Sequence, residues 1–180
     1  MATIFTISAK SNLYKNYEPQ KYFDYIKKNG VRKIIDVRRG GQSRYSGCFQ
    51  NKKFAELCKN EGIEYVKEWA VAPQKELFKR CDEEKWNMLK YAHEYLADEG
   101  IVEKLKTYTL DELDGAAFFC AENELYNCHR WICAEAIKAR FNEVRIVHLG
   151  VTHYKNGTEK GAIPTDIAME ARAYIRSIFC

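Results

Sequence analysis

Apolar residues along this chain form short runs that alternate with segments of helical spacing. The runs predict strands at residues 4–7, 31–37, 62–66, 115–120 and 144–148, and the spacing predicts helices at 17–29, 51–60, 82–96, 102–108, 128–140 and 164–178. The run around Ile34 and Ile35 is continuous rather than alternating, which is typical of a strand that helices cover on both faces. We therefore expect a sheet buried between layers of helices.

This alternation predicts the α/β fold class: one three-layer domain over residues 1–180, with a mostly parallel sheet of about five strands flanked by helices. Asp82 is the expected cap of the helix at 82–96, and Pro73 indicates a loop within 67–82. A hairpin-like loop around Asn156-Gly157 and a terminal helix are expected within 150–180. Ligands of such sheets bind beyond the carboxyl ends of strands. The loops after Val37 and Cys120 are therefore expected to form a site.

Composition narrows the class of protein. The chain has 46% hydrophobic residues, 30% charged residues and a net charge of +4, which fits a globular protein better than a strongly basic nucleic-acid binder. No apolar run approaches the roughly 20 residues that span a bilayer, and the N-terminus lacks a secretory signal, so no membrane partner is expected. Seven cysteines without such a signal predict reduced thiols and a cytoplasmic location.

The loop after the second predicted strand combines an acid with arginines. Asp36 ends an apolar run, and a buried carboxylate needs a charged or hydrogen-bonding partner. One interpretation is an Asp36–Arg38 pair that ties the loop down. In the other, Arg38 is an anion-binding fork that Asp36 positions, or Asp36 is a general base. Ser43 and Arg44 add a hydroxyl and a second guanidinium for a ligand.

The stretch from Cys120 to Arg130 contains the largest concentration of potentially reactive side chains in the chain. A buried strand ends at Cys120, and after a polar loop a helix opens on Cys128, His129 and Arg130, with Asn127 as the expected cap. A thiol in a first helical turn ionises more easily, so Cys128 is a candidate nucleophile. Adjacent residues on a helix diverge by about 100°. We therefore expect His129 to face a group from another loop rather than Cys128.

Glu122 and Arg130 complete the candidate site. Glu122 is expected to face inward as a general acid or base, or as an acceptor for a ribose or an amine. Arg130 is expected to reach back to Asp36 or Glu122. The candidate catalytic residues are Glu122, Cys128 and His129, and the candidate ligand-binding residues are Asp36, Arg38, Ser43, Arg44, Cys120 and Arg130.

Zinc is a less favoured possibility at the same place. Cys120, Cys128, His129 and Cys133 are suitable ligand types, and His129 and Cys133 share a helical face. The paired Cys-x-x-Cys spacing of structural zinc sites is missing, however. The sequence therefore predicts no metal ligand set and requires no cofactor.

Several of these motifs together resemble the family called domain of unknown function 488. The motifs are Asp36-Val37-Arg38 at a strand end, Ser43-Arg44, Cys120-Ala121-Glu122, Cys128-His129-Arg130 and the opening strand Ile4-Phe5-Thr6-Ile7-Ser8, and the likeness covers about residues 3–149. The resemblance implies an α/β domain with a shared site formed by these loops, and it supplies no activity. This chain has Ser8-Ala9-Lys10-Ser11 where the family often has Gly-His-Ser, and Gly40-Gly41 where it often has a proline.

The leading functional hypothesis is a site for a nucleotide-like or other anionic small molecule, in an enzyme that uses Cys, His and Glu. Acids and arginines together suit a nucleotide better than bare phosphate. A non-catalytic nucleic-acid-binding module is the alternative, and a purely structural cluster at the sheet edge is a third. The Asp-Val-Arg strand is also similar to rhodanese-like sulfurtransferases. Because eight positions separate Cys120 from Cys128, sulfur transfer is a minor alternative. Substrate, catalysis itself and oligomeric state stay open.

Overall fold

The sheet of this protein is parallel throughout. A computed structural model describes residues 1–9, 19–40, 49–122, 125–126, 128–150 and 163–180. Within these residues five strands form the sheet, namely β1 (Thr3–Ser8), β2 (Lys33–Asp36), β3 (Glu64–Lys67), β4 (Ala116–Cys120) and β5 (Arg145–His148). Their order is β3-β2-β4-β1-β5, with every pairing parallel. The predicted α/β class with a buried parallel sheet is confirmed.

Helices cover both faces of the sheet. They are α1 (Pro19–Lys28), α2 (Asn51–Asn60), α3 (Lys75–Glu84), α4 (Met88–Leu96), α5 (Glu99–Thr107), α6 (Leu110–Leu113), α7 (His129–Arg140) and α8 (Thr165–Phe179), with a 3-10 helix at Trp69–Val71. Helices α1 and α2 pack on one face, and α4, α5, α7 and α8 pack on the other. None of these described helices is both long and apolar enough to cross a membrane.

Side-chain alternation along β4 divides the core into two halves. Ala117 and Phe119 lie in the half that α1 and α2 cover, whereas Phe118 and Cys120 lie in the half that α7 covers. This follows from the period of two residues in a strand. Both halves are apolar, which explains why the strand sequence is a continuous apolar run.

The loop indicated by Pro73 is confirmed, and the helix predicted at 82–96 ends at Leu96 as expected, but its predicted start with Asp82 as cap is wrong. Asp82 lies inside α3, which ends before Lys85 takes a left-handed conformation with φ 52°. Asn87 then caps α4, because its side chain accepts a hydrogen bond from the backbone N–H of Lys90 at 2.9 Å. No glycine or proline marks this break, so the sequence pattern continues across it.

The carboxyl ends of β1, β2 and β4 meet at one edge of the sheet. Cys120 pairs with Ser8 across one side of β4, and Phe119 pairs with Asp36 across the other. The backbone N–H of Val37 donates to the carbonyl oxygen of Phe119 at 3.1 Å. The two loops expected to form a site therefore leave neighbouring strands. The hairpin-like loop predicted around residues 156–157 lies outside the described residues.

Candidate functional site

Two thiols and one imidazole come together at this edge. One possible ligand atom from each of Cys120, Cys128 and His129 lies within 4.8 Å of the other two. All three side chains are almost completely buried. The end of β4 supplies Cys120, and the start of α7 supplies the other two. The sequence predicted these residue types at the site, and the structure brings them into one cluster.

The backbone of Cys128 explains how it joins His129 in the cluster. Cys128 is the N-cap of α7, with extended φ and ψ of −120° and 123°, and the helix itself begins at His129. The sequence prediction that Cys128 lies in the first helical turn is therefore wrong, and the divergence of 100° between helical neighbours does not apply to this pair. Asn127, the expected cap, lies outside the described residues.

His129 is held by the loop that follows β2. Its Nε2 atom lies 2.7 Å from the carbonyl oxygen of Val37. A carbonyl oxygen can only accept, so Nε2 carries the hydrogen and donates it. Nδ1 is buried and has no hydrogen-bond partner among the described residues. The rings of Phe78 and Tyr95 pack against the imidazole, with centroids 5.9 and 5.8 Å away. His129 thus contacts a group from another loop, as the sequence predicts, but it also lies close to Cys128, which the sequence analysis did not expect.

Arg130 links the thiol cluster to the loop after β4. Its Nη1 atom donates to Sγ of Cys128 at 3.0 Å and to the carbonyl oxygen of Glu122 at 2.5 Å. Of the two expected partners it reaches Glu122, through the backbone carbonyl. The side chain of Glu122 is exposed, so the inward orientation expected from the sequence is wrong.

The two thiols in contact have pKa values shifted in opposite directions. Contact with Cys128, together with His129 and Arg130, lowers the pKa of the Cys120 thiol well below its ordinary value. Burial and the neighbouring Cys120 raise the pKa of the Cys128 thiol well above that value. One thiol therefore ionises easily and the second resists, because two thiolates in contact repel each other.

Asp36 and Arg38 form a buried ion pair on the other face of the sheet. The carboxylate of Asp36 accepts hydrogen bonds from Nε and Nη2 of Arg38 at 2.9 and 2.6 Å, and from the hydroxyl of Tyr65 at 2.7 Å. Arg38 also donates to the carbonyl oxygen of Phe49 at 2.7 Å and to Oδ1 of Asn51 at 3.0 Å. Burial by itself would lower the pKa of Arg38. The interactions with Asp36 and Tyr65 raise it by more, so the pKa of Arg38 lies above its ordinary value.

This geometry favours one of the two interpretations that the sequence left open. The side chain of Arg38 is only 4% exposed, and both edges of its guanidinium are bonded within the protein. It packs over the ring of Phe119, 4.7 Å from the centroid, in the half of the core opposite Cys120. The ion pair therefore supports the loop after β2. Anion binding by Arg38 stays a prediction, and Ser43 and Arg44 lie outside the described residues.

Cys133 does not belong to the cluster. Its Sγ atom lies 3.4 Å from the hydroxyl of Tyr95, and burial raises the pKa of its thiol to about 12. The Tyr95 hydroxyl donates in turn to the carbonyl oxygen of Val71 at 2.6 Å. Of the possible zinc ligands considered from the sequence, three therefore meet and Cys133 stays apart.

Sequence reasoning missed Lys67. Its ammonium group lies 3.3 Å from the carboxylate of Asp36 and also donates to the carbonyl oxygen of Arg38. Lys67 ends β3 in register with Asp36. Its position at a carboxyl strand end could have indicated this contact, but only once the pairing of β2 with β3 is known.

An open cavity of about 700 Å³ lies at the opposite edge of the sheet, at the amino ends of the strands, where its lining includes Phe5, Gly30 and Val147. Four of its charged groups form two ion pairs, Arg32 with Asp114 at 2.6 Å and Lys27 with Glu61. Among the described residues no thiol or imidazole lines this cavity, whereas the carboxyl edge brings an imidazole together with two thiols whose pKa values are strongly shifted. The carboxyl edge is therefore the better candidate for chemistry.

Comparison with known proteins gives one match. The model of a family described as domain of unknown function DUF488 matches residues 18–137. Neither the search of curated proteins nor the search of solved structures finds a match. The matched stretch includes Asp36, Arg38 and all three residues of the cluster.

Proposed function

The chain belongs to the DUF488 family, and we propose that it is an enzyme that binds and acts on a small anionic, nucleotide-like molecule at the carboxyl edge of β2 and β4. The family description names no activity, so the proposal depends on the site. One observation carries it: Cys120, Cys128 and His129 meet within 4.8 Å at the edge where parallel sheets bind ligands.

The cluster is not what a structural core requires. Apolar side chains would fill the same space without burying titratable groups, and burial of such groups costs free energy unless they are paired. Here two buried cysteines lie in contact with pKa values shifted in opposite directions, and Nδ1 of His129 lacks a partner among the described residues. Strongly perturbed groups of this kind concentrate at functional sites.

The contacts proposed for the cluster, Arg130 and Glu122 follow from the positions of these residues in the structure. The cluster of Cys120, Cys128 and His129 forms the inner end of the proposed site, and Arg130 supplies positive charge beside it. Glu122 is exposed at the rim, where a carboxylate can exchange protons with both solvent and a ligand. We propose that Ser43 and Arg44 bind the anionic group. The Asp36–Arg38 pair then acts as a positioning element that supports their loop.

The nucleic-acid alternative is weaker on this geometry. A nucleic-acid-binding module requires several arginines that can contact phosphates. Arg38 is buried, however, and both edges of its guanidinium are hydrogen-bonded inside the protein. Arg39 donates to the carbonyl oxygen of Pro73 at 3.1 Å and to the side chain of Gln74 at 2.9 Å. A small ligand reaching Arg44 and the cluster needs neither of them.

Calorimetry with AMP, adenosine and inorganic phosphate tests the binding part. We expect AMP to bind at least about tenfold more tightly than adenosine, because a hydrogen bond to a charged group contributes about 1.5–3 kcal/mol. Arg44→Ala should remove that difference. Arg145→Ala, an exposed arginine at the amino end of β5, is the matched control and should keep it.

Turnover of the bound nucleotide, followed by mass spectrometry, tests the catalytic part. Glu122→Gln should abolish product formation while AMP still binds. Absence of heat with all three compounds would overturn the proposal. So would tight, steeply salt-dependent binding of a single-stranded oligonucleotide without binding of AMP, which is the behaviour of a nucleic-acid module.

A further inference from the structure

We propose that Cys120, Cys128 and His129 bind one thiophilic metal ion of the Zn²⁺ class at the inner end of this site. The inference rests on the proposed function in one respect only, namely that the open coordination position of the ion faces the anionic ligand. The cluster itself is the evidence, because its three donor groups come from two separate segments and are already gathered.

The donor set is that of an open zinc site. Two thiolates and one imidazole form one of the known three-ligand sets, in which a water or substrate takes the fourth position. Zn–S bonds of about 2.3 Å and Zn–N bonds of about 2.0 Å place tetrahedral donor atoms roughly 3.5–3.8 Å apart. The donors here lie within 4.8 Å of one another. Side-chain shifts of about 1 Å are enough to close them around an ion.

The imidazole has the second contact that metal-binding histidines usually have. Such histidines donate the N–H that does not face the metal to a carboxylate or a backbone carbonyl, which fixes the ring and its tautomer. In His129, Nε2 donates to the carbonyl oxygen of Val37, and Nδ1 is buried without a partner among the described residues. We assign Nδ1 as the nitrogen that binds the ion.

The N-cap position of Cys128 makes the adjacent pair usable as ligands. An extended residue followed by the first residue of a helix can direct both side chains to one point, which two helical neighbours cannot do. The absence of Cys-x-x-Cys spacing argued against zinc in the sequence. In the structure, the change from extended to helical backbone between Cys128 and His129 lets adjacent residues serve as ligands instead.

Arg130 and Cys133 define the surroundings of the ion. Arg130 donates to Sγ of Cys128, and such a bond stabilises a coordinated thiolate. Two thiolates, a divalent ion and this guanidinium sum to a net positive charge, which suits an anionic ligand. Cys133 is engaged with the hydroxyl of Tyr95, so it leaves the fourth position to water or to the ligand.

Titration with Co²⁺ and Zn²⁺ tests the inference on the full chain. Protein treated with a chelator and then dialysed should bind one equivalent of Co²⁺, with a thiolate-to-cobalt charge-transfer band and the intense visible bands of tetrahedral coordination. Zn²⁺ should displace it. Cys128→Ser should weaken binding by more than the roughly 10–100-fold that changes in the outer shell cause.

His129→Gln and Cys58→Ser make the result decisive. A glutamine amide can still donate to Val37 but offers nothing at the Nδ1 position, so His129→Gln should lose the metal while the protein stays folded. Cys58 is an equally buried thiol in the other half of the core, and its serine variant should bind Co²⁺ as the wild type does. A wild-type protein without the charge-transfer band, or a Cys58→Ser variant that loses it, would overturn the inference.

The nucleotide measurement separates this inference from the proposed function. AMP binding to chelated protein with no Co²⁺ band would leave the ligand site standing and reject the metal. A Co²⁺ band of one equivalent without binding of AMP, adenosine or phosphate would leave the metal standing and reject the ligand.

Discussion

The Nε2 atom of His129 lies 2.7 Å from the carbonyl oxygen of Val37, 92 positions earlier in the chain. This hydrogen bond joins the first residue of α7 to the loop that follows β2. It is the direct link between the two segments that the sequence analysis placed at one site. It also fixes the neutral imidazole as the Nε2–H tautomer, which leaves Nδ1 for the cluster.

Two substitutions of His129 measure the contribution of this hydrogen bond to stability apart from the contribution of the imidazole ring. In His129→Gln the amide can occupy the position of Nε2 and donate to Val37, whereas the shorter side chain in His129→Asn cannot. The Asn variant leaves a buried carbonyl unsatisfied. We expect its free energy of unfolding to be lower than that of the Gln variant by about 1–3 kcal/mol. Urea denaturation of both variants measures the difference, and equal stabilities would show that the Val37 contact contributes little.

Tyr91 and Tyr95 provide a matched pair within α4. Both are fully buried and their rings stack, with centroids 6.2 Å apart. The hydroxyl of Tyr95 donates to the carbonyl oxygen of Val71, while that of Tyr91 has no hydrogen-bond partner among the described residues. Tyr95→Phe should therefore lower the free energy of unfolding by about 1–2 kcal/mol. Tyr91→Phe should be neutral or stabilising. Thermal or urea unfolding gives both values, and the reverse order would contradict the assignment.

The fold was largely predictable because local and global preferences agree. Continuous apolar runs such as Phe118-Phe119 occur where helices cover both faces of a strand, and all five predicted strands match strands of the sheet. The break between α3 and α4 was not predictable in the same way. Lys85 adopts a left-handed conformation that glycine or asparagine usually takes, so the residue type gave no indication of a helix end.

The site was predictable in its residue types but not in its geometry. Strand ends and a helix start identified Cys120, Cys128 and His129. The extended backbone of Cys128, which brings the three together, was not predictable, because the sequence placed this residue inside the helix. The same holds for Asp36, which faces away from Cys120 because β2 and β4 pair Asp36 with Phe119. A register shift of one residue would exchange the faces, and sequence alone does not fix that register.

Asp36→Asn tests the buried ion pair. The substitution leaves the guanidinium of Arg38 buried without its counter-charge, and removal of one partner from a buried pair costs about 3–5 kcal/mol. We expect a loss of that order in urea denaturation. Glu83→Gln, which breaks the exposed contact with Lys79 at 3.7 Å, is the control and should leave the midpoint unchanged. If the two variants unfolded alike, the ion pair would not be what supports the loop after β2.

The lowered pKa of Cys120 predicts how stability changes with pH. Between that lowered value and the ordinary value of 9.0, the folded chain has lost a proton that the unfolded chain still holds. Stability must therefore rise with pH across this window. Above 9.0 it should fall again, because burial and the Cys120 thiolate keep Cys128 protonated in the folded chain.

Urea denaturation in the presence of a chelator, repeated across the pH range, measures this dependence. Cys120→Ser should remove the rise. Cys58→Ser should keep it, because burial raises the pKa of Cys58 to about 12, so that residue holds its proton in the folded chain throughout the window. A rise that survives in Cys120→Ser would assign the easily ionised thiol to another residue.

His148 predicts a second pH dependence, at acidic pH. Its Nδ1 lies 2.8 Å from the hydroxyl of Thr6, and burial, with repulsion from Arg130 and Arg172, lowers its pKa from 6.5 to about 4. Between these values the unfolded chain binds a proton that the folded chain does not, so stability falls as the pH drops from 6.5 to 4. The contribution of His148 to this loss should be about 2 kcal/mol.

Comparison of wild type with His148→Gln isolates that contribution, since glutamine does not titrate. The variant should lose less stability between pH 6.5 and pH 4 than the wild type does. His93→Gln is the matched control, because His93 is exposed and stacks on Tyr174 with centroids 3.6 Å apart, and it should retain the wild-type dependence. If His148→Gln and the wild type lost the same free energy over this range, the acid sensitivity would have to come from carboxylates, and the neutral state of the half-buried imidazole would contribute nothing to it.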